Sequence, residues 1–215
     1  MEFWSAPKLW ADETVVIVAT GHSVTQHDVD YCRGKARVLV INTAIQLAPW
    51  ADACYFADQR WGDAHIDKLK AFGGLKVSIQ NAAPILGKDP TIKIMRNNTD
   101  KPGLCMEPDG LNTGRNSGYQ GINLAVHLGV KRIVLMGFDL NVRPDKRWFF
   151  GASYGWSNSG PQIYENSFLP RFLTLASPIA DLGIEVINCS MGSSLDCWEK
   201  REIQDVFRTF ASVGL

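Results

Sequence analysis

The run Arg132-Ile133-Val134-Leu135-Met136-Gly137 has no polar alternation. A strand with one solvated face reads apolar, polar, apolar. An unbroken apolar run belongs to a parallel sheet covered on both faces. This restricts the chain to architectures in which helices shield two sides of a sheet. The stretch before the run agrees. From Ser117 to about Leu128, Ile122, Ala125 and Val126 fall on one helical face, and Gly129 is placed as the stop. Similar apolar runs occur at Thr14–Thr20 (TVVIVAT), Ala36–Asn42 (ARVLVIN), Ala53–Ala57, Leu75–Ile79 and Ile184–Asn188. Helices are expected near Thr25, over His65–Phe72, over Ile163–Asp181 with disturbances at Pro170 and Pro178, and from Lys200 to about Phe210. Ile92–Met95 reads as a short edge strand, and Met1–Glu13 as a lead-in whose Trp4 and Trp10 pack back on the body. The spacing predicts one α/β domain over 1–215, a three-layer sandwich around a mostly parallel sheet.

The strand ends share a second pattern. Polar or glycine residues follow them at Gly21-His22-Ser23, Asn42, Asp58, Asp139 and Asn188 to Ser194. In open α/β sheets ligands bind at that edge. Thr113-Gly114-Arg115-Asn116-Ser117-Gly118 precedes a helix N-terminus, whose free N–H groups and partial positive charge attract phosphate or carboxylate. Gly114, Gly118 and Gly121 would allow close approach, Arg115 adds a charged fork, and Thr113, Asn116 and Ser117 add donors. The same loop also reads as an ordinary turn with a Ser cap. It is neither a Walker loop nor a GxGxxG fingerprint. His22 reads as a phosphate contact or as an exposed loop histidine. Asn42 reads as a base or ribose contact or as a helix cap. Asp58 reads as a ligand for a hydroxyl, metal or amine, or as the cap of the helix after it.

The segment from Asn141 to about 162 has little apolar periodicity but is rich in aromatic and basic residues, with Arg147, Trp148 and Tyr154 among them. Loops of this length are often lids or binding loops. An aromatic lid is expected here, the alternative being a static surface excursion.

Formal net charge is zero, so no strong field for nucleic acid or anionic membrane is expected. The five cysteines are scattered with no CxxC pair, which argues against a zinc site or disulfide framework and fits reduced thiols in a cytosol. No signal peptide or membrane-spanning run is read from the sequence. Cytoplasmic localisation is therefore expected, and a homo-oligomer remains open.

Ala19-Thr20-Gly21-His22-Ser23 resembles the glycine–proline–serine turn after the first strand of family 42 sialyltransferases, with His22 in place of the proline. Maf-type flagellin glycosyltransferases and MptE-like hydroxymethylpterin diphosphokinases share that turn. Asn42 matches an Asn after the second strand. Thr113–Gly118 with its helix, followed by GVKRIVLMGFDL, resembles the family's threonine-serine-glycine, helix, strand and Gly-x-Asp block. The ordering covers most of the chain and is most similar to phage-encoded members, in which an aromatic loop and an Asn-Cys-Ser turn follow. The resemblance implies a Rossmann-like fold and transfer of a sugar or related group from a nucleotide donor, CMP- or UDP-linked, with no permanently bound cofactor and no metal. Gly21, Ser23 and Asn42 would lie near the nucleotide, and Thr113, Ser117 and Gly118 in the donor pocket. A phage protein would act in the host cytoplasm.

The sialyltransferases place a general-base His in the lid, and this chain has none after His127. Arg147, Tyr154 and Tyr164 stand there instead, leaving Asp58, Asp139 or Tyr154 as the base. A diphosphokinase on the same scaffold would need Mg²⁺ held by Asp58 and Asp139. A catalytically idle nucleotide-binding or host-interaction protein is the third reading. The acceptor is not legible.

Overall fold

The computed structural model describes residues 1–99, 101–142 and 162–211, the last without the side chains of 209–211. Nine strands form one sheet: β1 (Thr14–Val18), β2 (Arg37–Ile41), β3 (Ala53–Tyr55), β4 (Leu75–Ile79), β5 (Lys93–Asn98), β6 (Gly110–Asn112), β7 (Arg132–Met136), β8 (Glu185–Asn188) and β9 (Glu199–Lys200). Their order is β6-β5-β4-β3-β2-β1-β7-β8-β9, and every pairing is parallel. The helices are α1 (Gln26–Tyr31), α2 (Gln59–Ala64), α3 (Ile66–Ala71), α4 (Ser117–His127), α5 (Leu169–Asp181) and α6 (Ile203–Ala211). Short 3₁₀ segments cover Asn42–Gln46 and Gln80–Gly87. The fold is a Rossmann-like α/β sandwich.

The apolar runs produce this fold because both faces of each strand are buried. Val16 and Val18 point into one core with Val29 of α1, Trp61 of α2, Leu69 of α3 and Val206 of α6. Val15 and Ile17 point into the other with Tyr119 and Ile122 of α4 and Phe172 and Leu175 of α5. Truncating a fully buried residue such as Leu39 to Ala costs about 2–5 kcal/mol. The lead-in packs as expected. Its Trp4, Ala6 and Trp10 amides donate to the Ile94, Pro108 and Leu128 carbonyls, each at 2.8 Å, and Trp10 is 5% exposed. All five thiols are free, and burial pushes Cys32 up to about 12.

Several boundaries differ from the sequence reading. The strand expected at Ile92–Met95 is not an edge: β6 pairs outside β5 through Arg96–Gly110 and Asn98–Asn112. A three-residue strand reading Gly-Leu-Asn has no apolar run to announce it. The last helix begins at Ile203, because Lys200 pairs in β9 beside Asn188. Helix α4 is capped by Asn116 and not by a serine. The disturbance expected near Pro170 is a π turn over Tyr164–Phe168, with the Leu169 N–H bonded to the Tyr164 carbonyl. Pro170 has no N–H to continue the α ladder at that point.

The topology places a crevice at one edge of the sheet. Beyond β1 the chain steps outward in one direction through β2 to β6. It then returns to the other side of β1 as β7. The direction of winding reverses between β1 and β7, and a crevice opens at their carboxyl ends. Among the described residues no helix is long and apolar enough to cross a membrane.

Candidate functional site

A cleft of about 280 Å³ lies at that reversal. Its walls come from the ends of β1 (Ala19–Gly21), β2 (Ile41, Asn42) and β7 (Gly137–Asn141), from the start of α4 (Arg115–Gly118), and from Tyr164 and Phe168 on the π turn. Tyr164 and Phe168 pack edge to face at 5.6 Å, giving the cleft one aromatic side.

The loops after β1 and β7 are fused beneath it. The Gly21 N–H donates to the Gly137 carbonyl at 3.0 Å. A Cβ on Gly21 would stand 1.9 Å from Asp139 Oδ2 and 2.3 Å from the Gly137 oxygen. Gly137 has φ +73°, and its own Cβ would meet the Ala19 carbonyl at 2.8 Å. Asp139, 2% exposed, accepts on Oδ2 from the Ser23 N–H at 3.2 Å and from its hydroxyl at 3.0 Å. The His22 ring is buried against the same carboxylate. Its Nδ1 lies 3.3 Å from Asp139 Oδ1, close enough for an ion pair but misaligned for a hydrogen bond. Its Nε2 meets Asn141 Oδ1 at 2.9 Å. The Asn141 amide donates to the Gly192 carbonyl at 2.8 Å and to Ser194 Oγ at 3.2 Å, which turns its oxygen toward the imidazole and places a proton on Nε2.

The turn after β8 completes the bracket. Ser190 Oγ accepts from the Phe138 N–H at 2.8 Å, Ser193 Oγ donates to the Phe138 carbonyl at 2.6 Å, and the Ser194 N–H donates to the Asp139 carbonyl at 2.9 Å. The polar residues at the ends of β1, β7 and β8 are thus largely committed to one another. Gly21 and Ser23 donate to protein oxygens, and His22 is a clamp between Asp139 and Asn141, not an exposed loop residue.

The opposite wall is different. Asn42 has φ +51°, and its buried Oδ1 has no hydrogen-bond partner among the described residues. Gly114 and Arg115 have φ +49° and +55°, and the Asn116 N–H closes on the Thr113 carbonyl at 3.3 Å, forming a type I′-like turn. Leu140 also lies at φ +51°. Three of the four non-glycine residues with positive φ among the described residues therefore line this cleft, the fourth being Asp12. Each such conformation costs about 1–3 kcal/mol and concentrates at functional sites. Arg115 is exposed and makes no hydrogen bond or ion pair among the described residues. Asn116 Oδ1 caps the Gly118 and Tyr119 amides at 2.8 and 3.3 Å, which leaves the Ser117 N–H as the open donor at this helix end. The absent Cβ of Gly118 makes room for the Phe138 ring, and that of Gly114 for Tyr119.

A second cleft of about 390 Å³ adjoins the first across Arg115–Ser117. Thr113 and Asp58 line this one, not the first. Asp58 caps α2, taking the Arg60 N–H at 2.8 Å and the Arg60 guanidinium at 3.1 Å. Burial works to raise its carboxyl, but the Arg60 hydrogen bonds and charge leave it below its ordinary value, so it is ionised at neutral pH. Asp58 and Asp139 line different clefts. Among the described residues no group of three His, Cys, Asp or Glu side chains could hold a metal ion. The pair that the diphosphokinase reading requires, Asp58 with Asp139, does not share a cleft.

The structure thus brings Gly21, Asn42, Arg115, Asn116, Ser117, Gly118, Asp139 and Tyr164 to one cleft, with His22 and Ser23 packed behind its wall. Arg147, Trp148 and Tyr154, and with them most of the expected lid, lie outside the described residues. The sequence reading missed Asn141 and Phe168. No local signal marks them, because each is defined by partners or walls from distant strands. No family model and no curated protein sequence matches the chain.

Proposed function

We propose that the protein transfers a glycosyl or related group from a nucleotide-linked donor held in the cleft at the β1–β7 reversal. The observation that carries this reading is the pairing, in one cleft, of an acceptor and a cation that lack partners among the described residues: Asn42 Oδ1 and the Arg115 guanidinium. A nucleotide answers both. A ribose hydroxyl or base amine donates to Asn42, and a phosphate meets Arg115 and the Ser117 N–H. Tyr164 and Phe168 supply a surface for a ring. The resemblance to family 42 sialyltransferases and Maf-type glycosyltransferases points the same way, with a CMP- or UDP-linked sugar as donor.

In the transfer step an acceptor oxygen forms the new bond to the sugar carbon, and the bond from that carbon to the donor phosphate breaks. The electron pair leaves on the phosphate oxygen, neutralised by Arg115. The acceptor proton passes to a carboxylate. Asp58, whose side chain is 44% exposed, suits that role better than Asp139, whose oxygens face Ser23 and His22.

The test is release of free CMP or UDP from their sugar conjugates in the presence of hydroxyl acceptors. Turnover is expected, and Asp58→Asn should lower kcat by about 100-fold while leaving nucleotide affinity in place. Binding without release would favour a catalytically idle nucleotide-binding protein instead. The commitment of Asp139 to Ser23, and of Asp58 to Arg60, is the observation on that side.

A further inference from the structure

Behind the wall of the central cleft two buried polar atoms face each other. His22 Nδ1 and Asp139 Oδ1 are 3.3 Å apart, on side chains that are each 2% exposed. Both atoms are closed to water, and neither takes part in a hydrogen bond among the described residues. The other ring nitrogen, Nε2, meets Asn141 Oδ1 at 2.9 Å, and the Asn141 amide is turned away to the Gly192 carbonyl and Ser194 Oγ. Nε2 therefore carries the proton of that bond. In a neutral ring Nδ1 would then aim a lone pair at a carboxylate oxygen. Two such atoms repel, and burial leaves the repulsion poorly screened. No water reaches either atom to separate them. A proton fits. On Nδ1 it turns the contact into an ion pair, which needs closeness and not alignment. Asp139 is the anion of the pair, because its Oδ2 takes the Ser23 N–H at 3.2 Å and the Ser23 hydroxyl at 3.0 Å, bonds that are strongest to a carboxylate.

We infer that His22 is held as an imidazolium behind the cleft wall and that it sets the charge this wall shows to an anionic ligand. Asp139 lines the cleft, and His22 stands behind it. With the proton in place the pair is neutral overall. Without it the wall carries an uncompensated negative charge in the same cleft as Arg115. Proton and anion thus raise each other's affinity. His22 acts on the ligand through Asp139, so it is a positioning residue and not a catalytic one. Among the described residues Asp139 is the one charged group in contact with the ring. The charges of the flanking elements are taken up elsewhere: Lys200 of β9 by the Ser193 carbonyl and Asp196, Asp28 of α1 by Thr25 and Gln204, and Asp30 of α1 by Gln26. The ligand half of the inference rests on the nucleotide reading of this cleft. The proton does not.

Two readouts on the full chain test the halves separately. Two-bond ¹H–¹⁵N correlation spectra of histidine-labelled protein report the protonation of each ring at about pH 8, where an unperturbed imidazole is neutral. His27, with a side chain 81% exposed, is the internal reference, and loss of a signal in His22→Gln assigns His22. His22 should show both ring nitrogens protonated while His27 shows one. A neutral His22 would overturn the inference and leave the nucleotide reading standing. Calorimetric titration with UDP-glucose and CMP-N-acetylneuraminate, whose phosphodiesters keep a constant charge, then reads the coupling, with uridine and cytidine as uncharged controls. Affinity for the charged ligands should fall by roughly fivefold or more over the pH range in which the spectra show the proton leaving, while nucleoside affinity holds. At about pH 7 His22→Gln should weaken the charged ligands by a similar factor and remove the pH dependence. Nucleotide-sugar affinity that ignores the proton would overturn the coupling alone. An imidazolium at His22 with no nucleotide-sugar binding at any pH would keep the proton and overturn both the coupling and the nucleotide reading.

Discussion

The two walls of the central cleft are built from similar residues and do opposite things. At the β1–β7 wall, Gly21, Ser23, His22, Asp139 and Asn141 bond largely to one another, His22 Nδ1 and Asp139 Oδ1 facing each other at 3.3 Å without a hydrogen bond, and the serines of the β8 turn close the bracket. At the β2–α4 wall, Asn42 and Arg115 hold strained backbone conformations and have side-chain atoms without partners among the described residues. The first wall is framework and the second is where a ligand would gain most. Polarity at a strand's carboxyl end therefore does not by itself mark a binding residue. Under the proposed reading, an unpartnered side chain that faces the cleft does.

Substitutions separate the walls. Gly21→Ala should have the largest effect on stability, about 3 kcal/mol or more in urea denaturation, because its Cβ meets backbone that cannot yield. Asp139→Asn should follow at about 2 kcal/mol, since it removes a charged acceptor from the Ser23 N–H and hydroxyl. If this variant were as stable as the parent, the framework assignment would fail. Asn42→Gly should go the other way: relief of the left-handed conformation offsets the loss of the side chain, and stability should rise or hold within about 1 kcal/mol while nucleotide affinity drops.

The smallest effect is expected at Asp58. Asparagine keeps the cap, so Asp58→Asn should cost under about 0.5 kcal/mol at pH 7 for an exposed pair with Arg60. Its folded carboxyl lies below the ordinary 3.8. The charge therefore contributes above that value, and the contribution fades as pH falls through the lowered one. Wild type and variant should converge in acid denaturation, and a gap that widens in acid would contradict the assigned direction.

Much of the fold was legible because burial on both faces leaves an unbroken apolar run, as in Val15–Val18, Val38–Ile41 and Ile133–Met136. Strands without one were not: β6 is Gly-Leu-Asn and β9 is two residues long. The strand ends were legible as a polar edge, and the cleft does form there. The division of labour along that edge was not. The bond that commits Ser23 spans 116 positions and the contact between His22 and Asn141 spans 119, distances at which a single sequence carries no pairing signal. The glycines show the same limit. Gly118 and Gly121 read as room for an anion, and the fold adds a use that the sequence does not show, room for Phe138 and Ile41.

The most direct test of the open wall is a thermal-shift titration with CMP, UDP and their sugar conjugates, comparing wild type, Arg115→Ala and Asp139→Asn. At about 100 times the dissociation constant a ligand should add roughly 2.7 kcal/mol, several degrees for a chain of this length. The account predicts a shift in wild type that Arg115→Ala, itself as stable as the parent, reduces by about tenfold in affinity. Asp139→Asn should start from a lower melting temperature. No shift with any of these ligands, or a shift that Arg115→Ala leaves intact, would contradict it.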